Sequence, residues 1–376
     1  MRSTEGAILL TGATGFVGME LMTRHLERGD REIVAVVRAD NDKAAGARVH
    51  TVLENLFGSR AARYAGRVHA VAGDLTARRV GLSAARWREL ASRVTTIVHS
   101  AASVSFDLPL EEARAVNVDG TKRMLELAAD AAACGGLQRY AHVSTAYVAG
   151  THAGSFRESD FDLGQEFRNT YEQTKFEAEQ LVRLAPDLPF TILRPSIVVG
   201  DRRSGWTAAF NVLYWPLRAL ARGLYTAVPA IPSAPVDVVS IDYVADAIHE
   251  LCQSGGGIAE TYHLTAGPQA STIQEIAAVA SRYFKRPMPK VLPPPEFDAL
   301  AGTSEGMQRS AIESSSVYFP YFTVGTVFDD TAARARLAPA GIEVSPLPEY
   351  LERLLDFATR SRWGKRPIAR VEALAA

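Results

Sequence analysis

Cysteine is scarce in this chain, with only Cys134 and Cys252 among 376 residues. Two cysteines make no disulfide framework, and neither has metal-ligand spacing to a neighbour, so no metal site is expected. Charge of one sign is missing as well. A formal net charge of -1 provides no field that would gather nucleic acid or an anionic membrane, so any anion must be held by local groups. Long uncharged apolar runs are also lacking. The most apolar stretch, Trp206 to Ala230, is broken by Pro216 and carries Arg218 and Arg222, short of the about 20 mostly uncharged residues a spanning helix needs. The N-terminus shows no basic, apolar and small-residue leader, which makes the cytoplasm the expected location. Neither internal repeats nor low-complexity segments are found.

What is present is globular. Hydrophobic residues make up 47% and charged residues 22% of the chain, enough for one large domain or two modest ones. Ala7 to Thr11 is a short apolar run that ends at a glycine turn, and Phe16 to Arg28 then repeats apolar residues at helical spacing. Ile33 to Val37, Val68 to Ala72, Thr96 to His99, Arg139 to Val143 and Phe190 to Leu193 are further strand candidates, separated by helix-patterned segments such as Ala113 to Ala133. Strands alternating with helices predict an α/β fold, a doubly wound parallel sheet with the strand-end loops along one edge.

After Pro195 the rhythm breaks. Gly200 to Pro235 is rich in aromatics and leucine, Lys285 to Pro295 is proline-heavy, and Asp237 to Leu251 between them reads as a strand end and a capped helix. The expected division is a nucleotide-binding domain over residues 1–204, to which 236–268 returns, and a smaller, mostly helical lobe over 205–376. Ser345 to Thr359 reads as an amphipathic final helix, and Arg360 to Arg370 as a solvated basic tail.

Gly12, Gly15 and Gly18 lie between the first strand and helix. Glycine there permits a tight turn, close approach of backbone to a pyrophosphate and close helix packing, with the helix N-terminus facing the phosphates. Many dinucleotide folds carry an acid about 20 residues further on to bind ribose hydroxyls. Arg38 stands at that place here. A guanidinium suits a 2′-phosphate and accepts no hydrogen bond, so NADPH is expected over NADH, with Arg48 a second contact and Asp40 and Asp42 the competing acids. Asp74, in Gly73-Asp-Leu75, is placed to accept from the adenine amino group.

Tyr171 and Lys175, four residues apart, share a helix face one turn apart, which lets an ammonium depress a phenol's pKa. Such a tyrosine is a general acid for carbonyl reduction. These residues together resemble an extended short-chain dehydrogenase/reductase over residues 7 to about 270, on the motifs Thr11-Gly-Ala-Thr-Gly-Phe-Val-Gly18, Gly73-Asp-Leu75, His99-Ser-Ala-Ala102, Asn117-Val-Asp-Gly-Thr121, Val143-Ser-Thr145, Tyr171-x-x-x-Lys175 and Arg194-Pro-Ser196. His142-Val-Ser-Thr-Ala-Tyr-Val148, Arg194-Pro-Ser-Ile-Val198 and Gly205-Trp206 are similar to the fatty acyl-CoA reductase and thioester reductase branch. That branch reduces acyl thioesters on coenzyme A or a carrier protein with NADPH to the aldehyde, sometimes on to the alcohol.

The resemblance implies a catalytic set of Thr145, Tyr171 and Lys175, with Ser144 the alternative to Thr145, since one residue of slip in a strand reverses side-chain direction. It also implies a cofactor site of Gly12, Thr14, Gly15, Phe16, Val17, Arg38, Arg48, Asp74, Leu75, Ser100, Ala101, Ala102, Lys175, Pro195 and Ser196, with Lys175 on the nicotinamide ribose and Pro195 and Ser196 flanking the nicotinamide. Trp206 to Leu220 is the candidate lining of an acyl channel, with lobe core and an interfacial helix touching membrane or carrier as its other two uses. Neither Cys134 nor Cys252 stands in a strand-end context suited to a nucleophile. The alternative function is an epimerase, dehydratase or hydroxysteroid-type dehydrogenase on a sugar nucleotide or alcohol, which shares the triad but would call for a more polar small lobe.

Overall fold

The computed structural model describes residues 6–185, 187–253 and 259–376. Its frame is one sheet of seven strands: β1 (Ala7–Thr11), β2 (Ile33–Val37), β3 (Val68–Ala72), β4 (Val94–His99), β5 (Arg139–Val143), β6 (Phe190–Pro195) and β7 (Glu260–Leu264). The order is β7-β6-β5-β4-β1-β2-β3 and every pairing is parallel. Alternation within β1 explains why the sheet is covered twice. Ile8 and Leu10 join the core on one face and Ala7 and Leu9 the core on the other.

Between β1 and β2 runs α1 (Phe16–Arg28), followed across the sheet by α2 (Asp42–Phe57), α3 (Leu110–Ala133) and α4 (Thr170–Arg183). Chain order reverses between β1 and β4, and the crevice at the carboxyl ends of those strands is where such folds bind ligands. Thr11 ties the two strands there: its Oγ1 accepts from the backbone N–H of Ser100 and Ala101, both at 3.2 Å, and lies 2.8 Å from His99 Nδ1.

Beyond β6 the chain builds a second core around Tyr214, Leu217, Phe319, Phe322, Leu351 and Leu354. Short pairings between distant segments hold it: Ile197–Val199 with Val238–Ser240, Gly154–Phe156 with Thr326–Phe328, and Ala227–Pro229 with Lys290–Leu292. The expected return to the sheet therefore takes another form. Val238–Ser240 pairs outside the seven-stranded sheet, and the strand that rejoins it is β7, after α5 (Ile241–Gln253).

The C-terminus departs further from expectation. The amphipathic helix there is α6 (Leu351–Arg360), and it is followed by another, α7 (Arg370–Ala375), which packs on α2. The basic tail is not merely solvated. Arg370 pairs with Glu20 of α1, itself only 1% exposed, and the Ile368 carbonyl accepts from Trp206 Nε1 at 3.2 Å. A run of cations reveals its counter-charge only when the fold delivers one from far along the chain.

Candidate functional site

The loop after β1 shows why glycine is needed there. Gly12 has φ +75°, and a Cβ on it would lie 2.8 Å from Ala101 N; a Cβ on Gly18 would lie 2.1 Å from Gly12 O. Gly15 opens α1 without any side-chain cap, so the first N–H groups of the helix face the crevice. On the second strand's loop, Arg38 lies on the crevice wall and makes no hydrogen bond to a carboxylate among the described residues. Arg48, from α2, reaches Thr14 Oγ1 at 3.3 Å and the Arg38 carbonyl. The competing acids are elsewhere: Asp42 Oδ1 accepts from Ala72 N at 2.8 Å, and neither it nor Asp40 is on the wall. Asp74 Oδ1 accepts from the Thr76 N–H and hydroxyl, at 2.9 and 2.8 Å, which holds its carboxyl below the usual range.

The other half of the chemistry sits on α4. Asn169 caps it through Oδ1, accepting from Glu172 N at 3.0 Å, which places Tyr171 and Lys175 on the turn facing the ends of β5 and β6. Lys175 Nζ donates to the Val143 carbonyl at 2.7 Å, and burial brings its pKa down to about 8. Burial also dominates at Tyr171 and pushes the phenol up to about 12, against the opposing hydrogen bond from Thr145. This corrects the expectation that the neighbouring ammonium would depress it. The Lys175 ammonium is drawn to the strand carbonyl, so in this geometry desolvation wins.

The two neighbouring hydroxyls, both on the cavity wall, have different partners. Ser144 Oγ donates to Glu179 Oε2 at 2.6 Å, inside a buried group in which Arg194 Nη2 meets Glu179 Oε1 at 2.6 Å and Arg183 Nη2 meets it at 2.9 Å. Burial alone would raise the Glu179 carboxyl, but Arg194, Arg183 and Ser144 outweigh it and hold it below its ordinary value. Thr145 Oγ1 instead lies at Tyr171 and 3.4 Å from the Pro195 carbonyl.

One cavity of about 780 Å³ unites these features. Its wall includes Gly12, Thr14, Gly15, Phe16, Val17, Arg38, Arg48, Asp74, Leu75, Ser100, Ala101 and Ala102 at one end, and Thr145, Tyr171, Lys175, Pro195 and Ser196 further along. Ser196 lies by Asp237, whose carboxyl burial lifts to about 6 against the nearby Ser196 hydroxyl and hydrogen bonds from the backbone N–H groups of Ala266 and Gly267. The residues fit a dinucleotide at the first end: a cradle that a Cβ would fill, an uncapped helix start, and two guanidiniums on the side where a 2′-phosphate would lie.

The far end holds what sequence reasoning missed. Phe106, Tyr147, Tyr318 and Tyr321 line it. Phe106 lies four residues beyond the His99–Ala102 motif and Tyr147 inside the His142–Val148 motif, where it was given no role, while nothing in the local pattern marks Tyr318 or Tyr321. The segment expected to line an acyl channel divides: Ala209, Asn211 and Val212 face the cavity, whereas Trp206, Leu213, Tyr214, Leu217 and Leu220 are buried in the cores. Trp206 packs against Phe16 with the rings tilted at 59° and their centroids 5.7 Å apart, joining the small lobe to the glycine loop.

Among the described residues no helix is long and apolar enough to cross a membrane, and no cluster of histidine, cysteine and acidic side chains could hold a metal. Neither cysteine is on the cavity wall, and burial raises the Cys252 thiol to about 12.

Known proteins share this arrangement. The family model described as "Male sterility protein" matches residues 10–248. Isonitrile lipopeptide synthase of Streptomyces coeruleorubidus is 36% identical over 220 residues, covering 57% of this chain and 15% of that protein. A linear gramicidin synthase subunit from Brevibacillus parabrevis is 31% identical over 287 residues, covering 74% of this chain and 6% of that one. The chain thus spans a small fraction of these curated relatives. Among solved structures, the terminal R domain from the myxalamid PKS-NRPS pathway has a TM-score of 0.84 at 27% identity, covering 98% of this chain and 94% of that one. UDP-glucuronic acid 4-epimerase of Bacillus cereus, in complex with NAD, shares the fold alone, with a TM-score of 0.67 at 18% identity over 96% of this chain and 99% of that one. A matched model spanning more than half of the chain, together with the seven-stranded parallel sheet and its glycine cradle, places this protein in the NAD-binding male sterility protein family of extended short-chain dehydrogenase/reductases.

Proposed function

We propose that this chain reduces an acyl thioester, on coenzyme A or a carrier protein, to an aldehyde at the expense of NADPH. The observation that carries the reading is the single cavity in which a dinucleotide cradle, a hydroxyl pair with a lysine, and an end without charged side chains succeed one another. NADPH bound in the cradle supplies the hydride. As the carbonyl carbon accepts it, the oxygen gains charge that the Tyr171 and Thr145 hydroxyls are placed to stabilise, and Tyr171 gives its proton. Lys175 holds positive charge beside the forming phenolate. The tetrahedral adduct then loses the hydroxyl proton and breaks its C–S bond, releasing thiol and aldehyde. No covalent enzyme intermediate is needed, in keeping with a wall that carries no cysteine.

A sugar nucleotide fits less well. Arg38, Arg48, Asp74 and Lys175 are the charged residues of the wall, and all belong to the cradle or catalytic centre. The far end is aromatic. The similarity to reductase domains of assembly-line synthetases supports a thioester-linked substrate. The test follows NADPH loss and thiol release together on acyl-CoA and acyl-carrier substrates of increasing length. Each buried methylene adds up to about 0.8 kcal/mol, so efficiency should rise with length until the cavity is full. NADPH oxidation by a sugar nucleotide or sterol, with no thiol released anywhere in the series, would overturn the reading.

A further inference from the structure

Four aromatic rings meet beside Tyr171, and they come from both lobes. Phe106 sits on the loop between β4 and α3, 5.6 Å from the Tyr171 ring. Tyr318 and Tyr321 belong to the helical turn Ser316–Phe322 of the small lobe; Phe106 stacks on Tyr321 at 5.3 Å and meets Tyr318 edge-on at 5.7 Å. Tyr147 abuts Tyr321 edge-on at 4.8 Å. The group is anchored to the catalytic helix, because Asn169, the cap of α4, donates through Nδ2 to Tyr321 Oη at 2.9 Å. We propose that the Phe106, Tyr318 and Tyr321 stack is the specificity element of the acyl end and selects acyl groups that carry no charge near the reacting carbonyl. This rests on the thioester reading above.

The argument is electrostatic. A cation in this chamber would leave water and need a counter-charge, and the carboxylates close by are already engaged. Glu172 is fully buried and pairs with Arg168 at 3.2 Å, and Asp107 accepts from Ser105 Oγ at 2.5 Å on the exposed side. Asp237 is held by the backbone N–H groups of Ala266 and Gly267, both at 2.8 Å. None of the three is on the cavity wall. An anionic acyl group finds no uncommitted cation there either, since Arg168 is paired with Glu172 and the Lys175 ammonium, the one cation of the wall near Tyr171, donates to the Val143 carbonyl. The competing use of such rings is a cage for a quaternary ammonium. A cage of that kind turns several free ring faces to the cation within about 6 Å, whereas here Phe106 and Tyr321 stack face on face at 5.3 Å and 29° and so cover each other's faces.

The test uses two pantetheine thioesters of the same shape, 3,3-dimethylbutanoyl and trimethylglycyl, which differ only in carbon against cationic nitrogen. The full chain with NADPH is expected to favour the neutral thioester by at least about 100-fold in kcat/KM, read by thiol release. Tyr318→Glu, at a half-exposed position, brings an acid to the chamber and should narrow that ratio at least about tenfold while NADPH affinity stays the same. Phe106→Leu, which removes the ring but keeps the site apolar, should raise KM for the neutral substrate and leave the preference for it in place. Equal or better turnover of the trimethylglycyl thioester by the unaltered chain would overturn the proposal in favour of a cation cage. A Tyr318→Glu protein that binds NADPH normally yet keeps the original ratio would overturn it as well. Failure of both thioesters to release thiol would instead remove the thioester reading itself.

Discussion

The cradle half of the cavity is made by loops that each follow directly on a strand of one parallel sheet, at Gly12, Arg38, Asp74 and Ser100. The aromatic half draws Phe106, Tyr147, Val212, Tyr318 and Tyr321 from segments joined only by the fold. The first half is polar, glycine-rich and rigidly backed by the sheet. The second is apolar, and its shape depends on how the small lobe packs against α4. The contrast teaches that binding of the dinucleotide and choice of the acyl group are separable in this molecule, so a substitution at one end should leave the other measurable.

The largest effect is expected where both halves share a support. Glu179 is fully buried and neutralises Arg194 while accepting from Ser144. Glu179→Ala leaves that buried guanidinium without a carboxylate, with only the Asp160 carbonyl and His263 to bond, and should cost about 3–5 kcal/mol of stability, measured by urea unfolding. A loss below about 1 kcal/mol would mean that the ends of β5 and β6 do not depend on this network.

Tyr171→Phe should lower turnover at least about 10²-fold with NADPH affinity almost unchanged, because one hydroxyl is removed and the cradle is not touched. Retention of most of the activity would reject Tyr171 as the acid. The same assay sharpens the register: Thr145→Val should be the more damaging to turnover, whereas Ser144→Ala should act mainly on stability through Glu179.

At the cradle alone, Arg38→Ala should weaken NADPH binding by about 1.5–3 kcal/mol, roughly 10- to 150-fold, and leave NADH binding unaffected. Parallel losses for the two cofactors in a titration would show that Arg38 does not read the 2′-phosphate.

The smallest effect lies behind the cradle, where the rings of His25 of α1 and His249 of α5 meet at a tilt, 4.8 Å apart. Burial lowers His25 to about 3, with His249, Arg31 and Arg67 adding to it, and lowers His249 to about 4, where Arg28 and Arg24 add and Asp246 opposes. Both folded values lie below the ordinary 6.5, so in that window the unfolded chain binds more protons and stability falls as pH falls. Carboxylates such as Asp237, raised to about 6, act in the opposite sense. The expectation is therefore a difference: His25→Gln should lose less thermal stability than the parent between pH 6.5 and 4.5. Identical slopes would show that the pair does not couple α1 and α5 to acid.

Much of the cradle was legible because its signals are local. Ile33–Val37, Val68–Ala72 and Arg139–Val143 are strands with the bounds expected of them, since an apolar β-branched run between turn residues has little alternative. The expected cradle residues on strand-end loops line one cavity for the same reason: parallel order sends each such loop to the same edge. Trp206 was harder to place. Its apolar surroundings suit a channel wall and a core equally, and only packing on Phe16 and the Ile368 carbonyl assigns it to the core.

Sequence alone determined the strand-turn-helix units, the glycine cradle, the cation at the end of β2 and the four-residue spacing of Tyr171 and Lys175, because each is a relation within one or two turns of chain. Tertiary structure decided the rest. It turned Ser144 toward Glu179 and Thr145 toward Tyr171, brought Arg370 to Glu20, and stacked Tyr321 on Phe106. Those are contacts between residues far apart in the chain, and their partners are chosen by shape, burial and counter-charge, which exist only after the sheet and the small lobe have packed together.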